Sequence, residues 1–113
     1  MANNKTNNKT IENTIEEYLK SSCDKRGYLC YKFVSPSQNG VPDRIIIANG
    51  YTIFIELKRP NKNKLDPLQE IICQKMRDNG AIVLMINNKK SIDNLMKSIE
   101  KQYKKLNSKL KTI

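Results

Sequence analysis

The sequence predicts an α/β fold, a mixed sheet flanked by helices in the order α-β-β-β-α-β-α. Three observations predict it. Asn49-Gly50 separates two runs rich in β-branched and aromatic residues, 44–48 and 51–58, and this dipeptide accepts the positive φ of a type I′ hairpin turn. Apolar residues recur at helical spacing near both ends of the chain. Ala81 to Ile86 is a continuous apolar run, the pattern of a strand buried on both faces.

Each element has its own signal. Residues 1–9 repeat an Asn-Asn-Lys-Thr unit that continues to Thr10, and this polar tract reads as a disordered arm before a single domain over 10–113. From Thr10 to Ser22, Ile11, Ile15, Tyr18 and Leu19 form one apolar stripe, so this segment is an amphipathic helix. Tyr28 to Val34 reads as a strand, and Ser35 to Gly40 as a loop. The hairpin follows. Asp66 then suits an N-cap, Pro67 the first helical residue and Gln69 the third, which completes a capping box; Gly80 ends that helix. From Ser91, the positions Ile92, Leu95, Met96, Ile99, Tyr103 and Leu106 keep helical spacing, so a last helix packs one face on the domain or on a partner.

Composition narrows the function. The chain has 113 residues, enough for one core but not for a separate recognition domain. Lys and Arg number 21 against 11 Asp and Glu, a net charge of +10 that points to a polyanionic partner, although a merely solvated Lys-rich surface has the same composition. There is no histidine, which removes His-based triads and His metal sites. Cys23, Cys30 and Cys73 are odd in number and lack Cys-x-x-Cys spacing, so they read as reduced, buried residues. No segment has the pattern of a membrane span or a signal peptide, and a cytoplasmic location is expected. No aromatic-interleaved RNA-binding signature is present, which disfavours stacking on single strands.

The chemistry concentrates on the hairpin. Folding at Asn49-Gly50 brings Asp43, at the start of the first strand, beside Glu56, near the end of the second. Pro42 has a fixed φ and no donor, so it suits a strand's first position and holds Asp43 at its mouth. Side chains alternate along a strand, so Glu56 and Lys58 share a face. Taken alone, Glu-x-Lys reads first as a solvated ion pair at a strand end. Two carboxylates and an ammonium on one hairpin are what a metal-assisted phosphodiesterase requires, since a hard cation such as Mg²⁺ takes carboxylate oxygens and keeps room for phosphate.

Gly40-Val41-Pro42-Asp43, Glu56-Leu57-Lys58 and Gln69 together resemble the PD-(D/E)XK nuclease superfamily, and its VRR-NUC branch in particular. The resemblance covers about Thr10 to Asn88 and implies a restriction-endonuclease-like core. It also implies Mg²⁺ or Mn²⁺ held by Asp43, Glu56 and the Leu57 carbonyl, with Lys58 assisting the attacking water and Gln69 close to the metal. A third carboxylate is implied from the first helix. At about 100° per residue, Glu12 borders the apolar stripe more closely than Glu16 or Glu17, which favours Glu12 with Glu16 second; all three also suit a helix start. Gln69 likewise has two readings, capping box and catalytic residue. Lys32, Arg59, Lys62 and Lys64 flank the motif and are candidate DNA contacts. The leading expectation is a metal-dependent DNA endonuclease acting on branched or structured DNA, of phage or mobile-element composition and homodimeric through its last helix. The alternative is a non-catalytic DNA-binding scaffold, or a partner in a replication or recombination complex.

Overall fold

The computed structural model describes the backbone of residues 4–111 and the side chains of residues 14–102. Seven elements follow in order: α1 (Asn4–Lys25), β1 (Leu29–Lys32), β2 (Arg44–Ala48), β3 (Tyr51–Leu57), α2 (Pro67–Asp78), β4 (Ile82–Ile86) and α3 (Lys89–Lys111). Helix α1 begins at Asn4 rather than at Thr10, and no proline or glycine precedes Thr10 to stop it.

The four strands lie in the order β1-β2-β3-β4. β1 pairs antiparallel with β2, and β2 antiparallel with β3. β4 returns through α2 to lie parallel to β3. The hairpin turn has the geometry its sequence demands, with φ of 49° at Asn49 and 90° at Gly50. At the start of α2, the backbone N–H of Asp66 donates to Gln69 Oε1 at 3.1 Å, one arm of the capping box. Asn88 caps α3 by accepting the Ser91 N–H at 2.8 Å.

α1 and α3 cover one face of the sheet. Ile15, Leu19 and Cys23 from α1 and Ile92, Met96 and Ile99 from α3 pack on Ile46, Ile53 and Ile55. Each such aliphatic side chain contributes about 1.5–3 kcal/mol by leaving water. α2 lies on the opposite face, over the β4 side, where the Arg77 guanidinium donates to the Val83 carbonyl at 2.9 and 3.1 Å. The three cysteines are free and buried, as their spacing suggests. Cys23 donates to Cys30, and this bond together with burial pushes the Cys23 thiol pKa up.

The apolar run of β4 suggests burial on both faces, which holds for Val83 on one face and Ile86 on the other, while Ile82 at the start of this edge strand is exposed. Val83 and Ile86 are buried, while Leu84 and Met85 are only partly so. The apolar run reflects cover by α2 on one face and the main core on the other, without a strand beyond. Tyr103 and Leu106, expected on the apolar face of the last helix, lie outside the described side chains.

Candidate active site

The β2–β3 register fixes the site. Arg44 pairs with Ile55, so Asp43 lies opposite Glu56 at the mouth of the hairpin. The Phe33 N–H donates to the Asp43 carbonyl at 2.8 Å, which extends the β1–β2 ladder to this point. Leu57 N–H approaches Asp43 Oδ1 at 3.5 Å, and Lys58 N–H donates to the Ile86 carbonyl at 2.9 Å. Asp43 is thus anchored on both sides by sheet backbone. Pro42, just before it, is fully buried.

Glu56 and Lys58 are buried, at 7% and 8% exposure. The Lys58 ammonium lies 3.6 Å from Glu56 Oε2 and 3.7 Å from Asp66 Oδ2. Glu56 nevertheless has a raised pKa. Burial is the first cause and the charge of Asp43 the second, and Lys58 offsets them only in part. Asp66 moves the opposite way, lowered first by its bond from Lys62 at 2.9 Å and then by the charge of Lys58.

Gln69 joins the helix cap to this pair. Its Oε1 accepts the Asp66 N–H, while its Nε2 donates to Glu56 Oε2 at 3.2 Å. The capping-box reading of Gln69 accounts for one end of its side chain, and the other end reaches Glu56. The helix N-terminus and Glu56 are held in register by a single amide.

The first helix contributes differently. The side chain of Glu12 lies outside the described residues. Glu16 is ion-paired with the Arg44 guanidinium, a side chain at 7% exposure whose pKa is lowered by burial. Sequence reasoning passed over Arg44. The signal was available: Arg44, Ile46 and Ala48 alternate onto the core face, and a guanidinium there needs a carboxylate from the covering helix.

Gly40 was also unexplained. It has φ of 87°, and a Cβ there would lie 3.1 Å from the Leu68 carbonyl oxygen, Leu68 Cγ and Ile72 Cγ1. A glycine allows the Val41-Pro42-Asp43 approach to press against α2. The basic candidates are not gathered into one row. Lys32 is exposed and shares the Arg44 face, opposite to the carboxylates; Arg59 is half-buried directly after Lys58. Lys62 is engaged by Asp66, and Lys64 lines a surface cavity of about 360 Å³ with Glu70, Arg77 and Met85.

The donor set suits a hard divalent cation. The Glu56 carboxyl, raised by burial and by the charge of Asp43, would be relieved by a positive ion shared between the two. Among the described residues, no three His, Cys, Asp or Glu side chains form a metal cluster.

Comparison with known proteins agrees with this architecture. No family model matches the chain. A solved structure described as a VRR_NUC domain superposes with a TM-score of 0.70 at 28% identity, covering 76% of this chain and 94% of the other. A phage protein named "Putative nuclease p44", from Acyrthosiphon pisum secondary endosymbiont phage 1, is 48% identical over 48 residues, 42% of this chain. The match spans about half the length of that relative, 52%.

Proposed function

We propose that this chain, which has the VRR-NUC fold, is a divalent-metal-dependent DNA endonuclease. The observation that supports the reading is exposed Asp43 set opposite buried Glu56, with buried Lys58 beside it, on a hairpin whose register follows from one turn. The phage relative's name and the net charge of +10 support it.

Asp43 and Glu56, with the Leu57 carbonyl and Glu12, would hold Mg²⁺ or Mn²⁺, which when bound supplies positive charge to the phosphoryl oxygens and acidifies a water. Lys58 places a second cationic centre against Glu56, oriented to hold the attacking water and to balance charge in the transition state. Gln69 fixes the Glu56 carboxylate through its amide and ties it to α2. Arg59, Lys64 and Lys32 would contact the DNA backbone. With no histidine in the chain, no imidazole is available as the base, and a bound cation would acidify the water enough for its proton to pass to solvent.

A branched or structured substrate fits a domain this small, because it reads shape through phosphates rather than sequence through extended groove elements. A homodimer would give such a domain two coordinated sites; light scattering that reports a monomer at micromolar concentration refutes that part. For catalysis, the test is incubation with branched, flapped and plain duplex DNA in Mg²⁺ or Mn²⁺. Cleavage that disappears in Asp43→Asn and Lys58→Ala is expected. Equal cleavage by those variants, or none by the parent, overturns the proposal. In the second case, retained DNA affinity without divalent-ion binding in a calorimetric titration would favour a DNA-binding scaffold.

A further inference from the structure

The face of the sheet that carries Asp43 and Glu56 is only half covered. Cross-strand register places Phe33, Asp43 and Glu56 in one row across β1, β2 and β3, and Tyr31, Ile45 and Phe54 in the next. α2 packs over the β4 side of this face and leaves the β1–β2 side open. Tyr31 is 54% exposed there, with Leu29 and Ile47 at 45% and 43%. Behind Tyr31, the Phe33 and Phe54 rings meet edge to face with centroids 5.3 Å apart.

We propose that this open half-face is a stacking platform for an unpaired base of the DNA substrate, with Tyr31 as its exposed ring, one row from the catalytic carboxylates. The proposal rests on the nuclease reading for its occupant. Diagonal neighbours across adjacent strands lie about 7–8 Å apart, so a base adjoining the phosphate at Asp43 can lie over the Tyr31 ring. An aromatic ring takes any base by its π-face, without sequence preference. An intact duplex keeps its base faces stacked inside, so the platform serves only flaps, branch points and frayed ends. Charge argues for nucleic acid over a second copy of the chain, since each copy carries +10. The fold thus assembles an aromatic surface that the linear spacing of Tyr31, Phe33 and Phe54 does not display as a motif.

The test is a binding titration in chelator with the full chain. The probes are a flapped DNA carrying 2-aminopurine at its first unpaired position and a fully paired duplex of the same sequence. The expected result is quenching of 2-aminopurine by the parent and by Tyr31→Phe. Tyr31→Ala should bind the flap roughly tenfold more weakly with duplex affinity unchanged, given the usual worth of one stacked base. Equal weakening toward both DNAs, no change toward either, or no binding of either by the parent overturns the proposal. So does Tyr31→Ala converting a dimer to a monomer in sedimentation with DNA affinities intact, which assigns the face to a second copy. Cleavage is scored separately on the same DNAs. Tyr31-dependent quenching without cleavage sinks the nuclease reading alone; cleavage with Tyr31-independent binding sinks the platform alone.

Discussion

The energetics of the site turn on two side chains held close at a cost. Glu56 has a pKa above its ordinary value because it is buried and faces Asp43. A carboxyl raised in this way adds stability below its ordinary pKa, and that stability is lost as pH rises through the folded-state value. Once pH has risen through that value, the metal-free protein carries the cost of burial and the repulsion from Asp43. Asp43→Asn should unfold at a higher urea concentration than the parent in chelator at pH 7, with the difference shrinking toward pH 4. A lower midpoint for the variant at pH 7 would contradict the electrostatic account. Gln69 separates cap from site in the same way. Gln69→Glu retains an acceptor for the Asp66 N–H but replaces the donor to Glu56 with a like charge. We expect at least about a tenfold loss of cleavage rate, the scale on which one positioned hydrogen bond acts, while α2 stays folded by circular dichroism. Asp43, Glu56 and Lys58 were legible in sequence because one Asn-Gly turn sets the register and alternation sets the faces. The role of Gln69 was legible only as two separate readings, since its distance to Glu56 depends on how α2 lies on the sheet.

Between elements, the features hidden from the sequence are those made by packing. Gly40 looks like an ordinary loop residue until α2 is seen against it. Gly40→Ala forces a side chain into a positive φ and into the Leu68 carbonyl, and should cost about 1–3 kcal/mol, read from urea unfolding. Cleavage should fall with it, because the displaced segment ends in Asp43. The Glu16–Arg44 pair clamps α1 to β2 beside the site. Glu16→Gln leaves the buried guanidinium without its counter-charge and should cost about 2 kcal/mol, less than a fully buried pair because Glu16 is one-third exposed. The double variant Glu16→Leu/Arg44→Met should recover most of that loss; if it is as unstable as the single one, the pair is not the source. The edge position of β4 was likewise unreadable. An apolar run reports cover on two faces but not whether another strand lies beyond.

At the scale of the whole molecule, on the nuclease reading charge would govern how the chain meets DNA, and its distribution makes a sharper prediction than its total. Of the four basic residues that flank the motif, Lys62 already neutralises Asp66 at 2.9 Å, and that carboxylate also draws on Lys58. Lys62 is therefore a poor counterion for phosphate, whereas Arg59, Lys32 and Lys64 have no ion pair among the described residues. Each phosphate neutralised contributes about −0.9 to the slope of log affinity against log salt, so three contacts give a slope near −2.7 and about a 40-fold loss between 50 and 200 mM salt. Duplex binding by Asp43→Asn, which removes cleavage from the measurement, should show at least this dependence, and more if α3 lysines join the interface. Adding Arg59→Ala to that background should make the slope shallower by about 0.9, and adding Lys62→Ala should leave it nearly unchanged. If Lys62→Ala changes the slope as much as Arg59→Ala does, Lys62 must leave Asp66 when DNA binds. The acidic cap of α2 would then exchange a lysine for each phosphate it meets, and Lys58 would be left as the principal partner of Asp66 beside the reacting bond.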